Sequence, residues 1–291
     1  MKIHHGTKRA QSTTKGFLLS LVSLILTFGC SRNDYSSPPP PSRKATSVKS
    51  ASEGAKPSQT PRPGDENVTP PGFLQAGKSL DLYVIMDKSG SLFKDPMSPL
   101  PGTGSDPNCK RFDGLLDLVD SLKTKLKANE EVRLTVVTFA AKRTLLGSLE
   151  NVLKLSRDDV SNKFRFGTCN TPDGTTNYAE GIEGILSEFA KNSGRKKLDL
   201  ESVVFFSDGA AKDDENTLRA AIDKLNNTFP RRTYGVLLGQ TNDTCSLTGA
   251  TGSKLPTADC MALVVGADLS KVLKVGDANG LSEALSGLIN K

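Results

Sequence analysis

Apolar residues along this chain follow two spacings that take turns. Leu80 to Met86 is a short, nearly continuous apolar run rich in branched residues, with Asp81 near its start. A run of that length is too short for a helix and predicts a buried parallel strand. Val132 to Phe139, Leu198 to Phe206, Thr233 to Leu238 and Met261 to Val265 predict further strands, and Thr144 to Leu149 a short edge strand. Helical spacing fills the intervals. Phe112 to Leu126 places Leu115, Leu116, Val119, Leu122 and Leu126 on one stripe; Asn177 to Ala190 does the same with Ile182, Ile185, Leu186 and Phe189. Asp214 to Leu225 turns Leu218, Ala221, Ile222 and Leu225 inward, and Leu281 to Ile289 is the closing helix. Asp158 to Phe164 reads as a helical turn capped by Ser156. Strands alternating with helices predict an α/β fold, doubly wound, with a mostly parallel central sheet flanked by helices. No repeat and no second linker interrupts residues 79–291, which are expected to form one domain.

Open parallel sheets bind ligands beyond the carboxyl ends of their strands, where the strand order reverses. Three separated segments fall at such positions. Asp87-Lys88-Ser89-Gly90-Ser91 closes the first strand, Thr175-Thr176 follows Gly174 and leads into a helix, and Ser207-Asp208-Gly209 closes a later strand. All three supply hard oxygen donors, which select Mg²⁺, Ca²⁺ or Mn²⁺.

These segments, in this order and on these elements, resemble the von Willebrand factor type A (VWA) domain over about 79–291. The resemblance implies a Rossmann-like fold carrying a metal-ion-dependent adhesion site (MIDAS). It implies that Ser89 and Ser91 give hydroxyl oxygens directly to the metal, and that Asp87 binds it directly or through water. Thr176 would be a direct ligand when a partner is engaged (Thr175 takes its place if the register is one residue off). Asp208 would act mostly through water. The remaining position would receive an Asp or Glu carboxylate from a protein partner. Mg²⁺ is the expected ion, with Ca²⁺ or Mn²⁺ as substitutes. Neutral hydroxyls leave the cation's charge poorly neutralised, which favours an incoming carboxylate and makes electrostatics the basis of recognition.

Charge and cysteine usage place the domain. The chain of 291 residues carries a net charge of +6. Residues 1–29 hold four Lys or Arg and no acid, residues 30–78 hold seven against four, and the remainder sums to about −1. The basic balance thus belongs to the amino-terminal segments, and the domain shows no basic excess of the kind a nucleic-acid binder carries. Residues 1–29 read as an export signal: Lys8, Arg9 and Lys15 precede an apolar or hydroxyl stretch from Phe17 to Phe28, shorter than the roughly 20 residues of a spanning helix. Gly29-Cys30 follows and resembles the bacterial lipobox, which implies lipidation of Cys30, a lipid anchor in the membrane and, with Ser31 next, the outer membrane. The other reading is a signal cleaved nearby with Cys30 incidental. Residues 30–78 are Pro- and Ser-rich, too poor in apolar residues to order themselves, and are expected to be a disordered tether.

Four further cysteines in an exported chain suggest disulfides. Cys245 and Cys260 flank a Gly/Thr/Ser-rich stretch that suits a local closure, leaving Cys109 with Cys169. A zinc site is the rival reading, but the chain has no Cys-x-x-Cys. Its two histidines, His4 and His5, lie in the export signal, which removes imidazole catalysis and His-ligated metals from the domain. A phosphotransfer hydrolase built on Asp-x-Asp would need an acid where Ser89 stands. Gly249 to Lys254 departs from the P-loop because Leu255 follows the lysine. The expectation is therefore an envelope-anchored, non-enzymatic protein-binding module. A scaffold within an envelope complex is the alternative.

Overall fold

Six strands assemble in the order β3-β2-β1-β4-β5-β8. They are β1 (Leu80–Asp87), β2 (Val132–Phe139), β3 (Arg143–Leu149), β4 (Leu200–Ser207), β5 (Thr233–Leu238) and β8 (Val272–Val275). All neighbours pair parallel except β3, which runs antiparallel to β2 at one edge. The computed structural model describes residues 73–75, 77–93, 104–127, 129–164, 174–239, 243–276 and 280–289.

The central strands are buried on both faces, as their apolar runs require. Alternate residues of β1 serve two cores. Leu80, Leu82, Val84 and Met86 join one, while Tyr83 and Ile85 join the other. Phe206 and Val204 of β4 likewise face opposite to Phe205 and Val203. Helices α1 (Lys110–Lys125) and α6 (Leu281–Ile289) cover the first face, beside the short α2 (Arg157–Lys163). Helices α3 (Tyr178–Asn192), α4 (Glu215–Thr228) and α5 (Thr257–Val264) cover the second. Ser156 caps α2 through a reciprocal pair with Asp159, and Asp214 caps α4 by accepting from the Thr217 amide at 3.0 Å. The chain winds outward from β1 in one direction through β2 and in the other from β4 through β5. The reversal therefore lies between β1 and β4, and their carboxyl ends open onto it.

Two readings of the sequence change, at Met261 to Val265 and at Phe73, while the expected Cys245–Cys260 closure is present. Met261 to Val265 is not a strand: it lies largely within α5, which begins after Pro256 and buries Cys260, Met261, Ala262 and Val264. A short helix that is apolar nearly all round has no polar stripe to reveal its period, so its sequence looks like a buried strand. The sheet position belongs instead to β8, whose four residues are too few to show an alternation. The stretch between Cys245 and Cys260 holds a hairpin, β6 (Thr244–Thr248) with β7 (Lys254–Pro256), and the two cysteines are joined by a disulfide with Cα atoms 6.4 Å apart. Phe73, placed in the tether by composition, is fully buried; its ring meets Tyr234 edge-on and its carbonyl accepts from Arg232. Among the described residues, the packed body begins at Phe73. Residues 1–72, with Cys30 and the export signal, lie outside the described residues, as does Cys169. Cys109 is disulfide-bonded.

Candidate metal site

β1 ends at Asp87 and the chain turns at once into a short 3-10 turn, Gly90–Leu92. The turn is held by the acid itself: Asp87 Oδ1 accepts the Ser89 amide at 2.7 Å. Asp87 Oδ2 accepts the Ser207 hydroxyl at 2.6 Å, which ties the end of β1 to the end of β4. That turn aims two hydroxyls the same way, with Ser89 Oγ and Ser91 Oγ 3.1 Å apart. Ser91 Oγ then donates to Asp208 Oδ1 at 2.9 Å. Two of the three segments singled out by sequence thus meet through direct hydrogen bonds.

The third arrives from the loop before α3. Gly174 takes a φ of +60°, which other residues rarely adopt, and turns the chain toward Thr176. Thr176 is buried and Thr175 exposed, its hydroxyl directed to Asn177; the register that names Thr176 is the one that points inward. The Thr176 carbonyl accepts the Lys212 amide at 2.9 Å. Asp213 caps α3 from outside the helix, accepting the Tyr178 and Ala179 amides at 2.8 and 3.0 Å. The loop after β4 therefore fixes the loop before α3. Gly209 lies where they meet. A Cβ built there would stand 3.3 Å from Thr176 Oγ1 and 3.5 Å from Ser91 Oγ, so any side chain would fill the space between those hydroxyls.

Asp87, Ser89, Thr176 and Asp208 are all buried, which makes the electrostatics unusual. Burial pushes the Asp87 carboxyl up from its ordinary range. Burial and then the nearby Asp87 push Asp208 up to about 7, against the hydroxyls of Ser105 and Ser91 that pull it down. Arg111 is the buried cation nearby, but its guanidinium is committed to Asp106 at 2.7 Å in a fully buried ion pair. Two acids and three hydroxyls therefore converge there, and hydroxyls and an amide supply the hydrogen bonds to the two acids. This donor set, hard oxygens with excess negative charge, fits a small divalent cation. Among the described residues no group of three or more His, Cys, Asp or Glu side chains lies together, so a thiolate- or imidazole-rich centre is not an alternative there.

Sequence reasoning missed three contributors. Ser207 was only part of a turn motif, yet its hydroxyl joins the two strand ends. Ser105 donates to Asp208 Oδ2 at 2.5 Å from inside the long loop between β1 and α1. Asp106 anchors that loop by accepting the Lys110 and Arg111 amides at the start of α1. An acid four residues before a helix was a readable capping signal for Asp106. Ser105 had none, since a lone serine in a Gly/Pro-rich loop carries no period.

No protein-family model matches the chain. A probable endonuclease 4 of Staphylococcus aureus is 33% identical over 109 residues, 34% of this chain and 36% of that protein. The chain thus spans about a third of the length of the curated relatives it matches. Among solved structures, proximal thread matrix protein 1 from the mussel byssus, with a zinc-occupied MIDAS motif, is similar at a TM-score of 0.50 and 15% identity, over 74% of this chain and 48% of that one. The PilB minor pilin of Streptococcus sanguinis is similar at a TM-score of 0.50 and 12% identity, over 75% and 62%. What the chain shares with these proteins is the fold, a mostly parallel sheet flanked by helices and matched among VWA-domain structures.

Proposed function

We propose that the domain is a non-enzymatic protein-binding module in which Ser89, Ser91 and Thr176 hold a divalent cation directly, Asp87 directly or through water and Asp208 through water, with Mg²⁺ the ion in the cell. The observation that carries this reading is the convergence of three hydroxyls and two buried acids from three separate segments on the space above Gly209. The chain's own residues do the preparatory work. Ser207 and the Ser89 amide hold Asp87, so the strand end is organised before any ligand arrives. Ser91 directs its proton to Asp208 and so leaves oxygen lone pairs free for a cation. A bound cation would supply a Lewis-acidic point for a carboxylate from an Asp or Glu of a protein partner. Fold similarity to a protein with a metal-occupied MIDAS supports the reading. Lipidation at Cys30 and a tether up to the packed body would place the module at the bacterial envelope.

Titration of the purified protein with Mn²⁺, followed by the loss of free-ion EPR signal, tests the site. Saturable binding to a single site in the wild type is expected. Asp87→Ala should weaken it by about a hundredfold, at or beyond the upper end of what removal of supporting groups does. Equal binding by both proteins would remove these residues from the site. Fractionation of cells producing the chain or its Cys30→Ser variant tests the anchor: the wild type should sediment with membranes and the variant should not.

A further inference from the structure

The segment Gly104-Ser105-Asp106 folds back against the turn that ends the metal loop. The amides of Gly104, Ser105 and Asp106 donate to the carbonyls of Phe93, Ser91 and Leu92 at 3.1, 3.3 and 2.8 Å. The approach is so close that a Cβ on Gly104 would lie 2.4 Å from the Leu92 carbonyl atoms, so glycine is required there. Behind Ser105, the buried Asp106 accepts the amides of Lys110 and Arg111 at the start of α1 and pairs with the buried Arg111 guanidinium. Ser105 is therefore held from both sides on a rigid support, with its Cβ also 3.4 Å from the position of a Cβ on Gly239 at the end of β5. Its hydroxyl meets Asp208 Oδ2, while Ser91 takes Oδ1. Both oxygens of Asp208 are thus occupied by hydroxyl protons.

We propose that Ser105 is a specificity-determining residue of this site: by holding Asp208 Oδ2 it keeps that carboxylate back from the cation and preserves the cation's charge for an incoming acidic group. The inference rests on the reading that a cation sits among Ser89, Ser91 and Thr176. A carboxylate whose two oxygens both accept hydrogen bonds has less charge to give to a neighbouring ion. Without Ser105, Oδ2 is released, Asp208 approaches the ion, and the ion is both better held and better neutralised. Metal affinity and carboxylate affinity then move in opposite directions. A residue that merely supported the loop would lower both.

The experiment uses the full chain and two probes, Mn²⁺ alone and acetate added to the Mn²⁺-loaded protein, each read by EPR. Ser105→Ala is expected to bind Mn²⁺ about tenfold more tightly and acetate about tenfold more weakly than the wild type, the scale at which outer groups tune metal sites. Ser105→Thr, which keeps the hydroxyl, should restore wild-type values for both. Unchanged affinities in Ser105→Ala, or a joint fall of both, would overturn the role of Ser105 while leaving the site itself standing. A wild type that binds no Mn²⁺ would overturn the site and with it this inference.

Discussion

The two ends of the central sheet surround their buried acids differently, although burial pushes the carboxyls up at both. At the amino-terminal edge, Asp81 of β1 faces Arg133 of β2. The guanidinium reaches both carboxylate oxygens, with Nε 2.5 Å from Oδ1, and also donates to the Lys196 carbonyl. Burial works against the Arg133 charge, but the bonds and charge of Asp81 outweigh it and hold the group above its ordinary range. The pair lines a cavity of about 210 Å³ together with the turn after α3, and its charges balance. Six residues further along the same strand, Asp87 and Asp208 are held by hydroxyls, while the buried Arg111 pairs with Asp106. One edge is closed in charge by the fold itself. The other holds its acids through hydroxyls at the strand-order reversal, where the proposed ion would sit. The comparison teaches that burial of an acid alone does not mark a site; two buried acids held by hydroxyls rather than by a bidentate guanidinium make the better candidate.

Substitutions can break the comparison, beginning with the largest effect. Arg133→Ala should leave Asp81 buried and uncompensated and destabilise the protein by about 3 kcal/mol. For a domain of this size that is a fall in Tm of roughly 6–12 °C, readable by thermal denaturation and independent of added metal. Asp208→Asn should do the reverse in chelator. Removing one of two like charges in a buried site relieves repulsion, and a gain of about 1 kcal/mol is expected. Added Mg²⁺ should then raise the Tm of the wild type and leave the variant nearly unmoved. A variant less stable than the wild type in chelator would show that the two acids are not in conflict.

A fourth carboxylate, the partly exposed Glu215 at the start of α4, sharpens the contrast. It accepts the Thr248 amide at 3.0 Å and the Thr248 hydroxyl at 2.8 Å, and pairs with Arg219. The bonds from Thr248 and then Arg219 hold its carboxyl at about 2. Its folded value lies below the unfolded one, so its contribution is complete above about 4.5 and is lost as pH falls through about 2. NMR titration of the Thr248 amide should show a midpoint near 2, with the change confined to the β6–β7 hairpin. This acid is supplied with donors by its own chain and needs no ion, so a midpoint in the ordinary range above 4 would contradict that account.

Much of this was legible in sequence for a physical reason. β1 and β4 are buried on both faces, so their runs are apolar throughout, and the acids and hydroxyls that end them stand out against that background. Thr176 was legible because a glycine with positive φ precedes it and an amphipathic helix follows. The α5 segment was misread because a helix buried on nearly all sides loses its period, and β8 because four residues hold too little pattern. Ser105 was invisible because its position depends on a loop folding back onto Ser91 and Leu92. That pairing is set by backbone contacts and a glycine's missing Cβ, neither of which has a signature in residue order.

The central claim is that a single divalent cation sits among Ser89, Ser91 and Thr176. Crystals soaked in Mn²⁺ and measured at the manganese absorption edge test it most directly. The account predicts one anomalous peak, about 2.1 Å from the Ser89 and Ser91 hydroxyl oxygens, that disappears in Asp87→Ala crystals. A wild-type map with no peak between these hydroxyls, or a peak held only by surface carboxylates elsewhere, would contradict it.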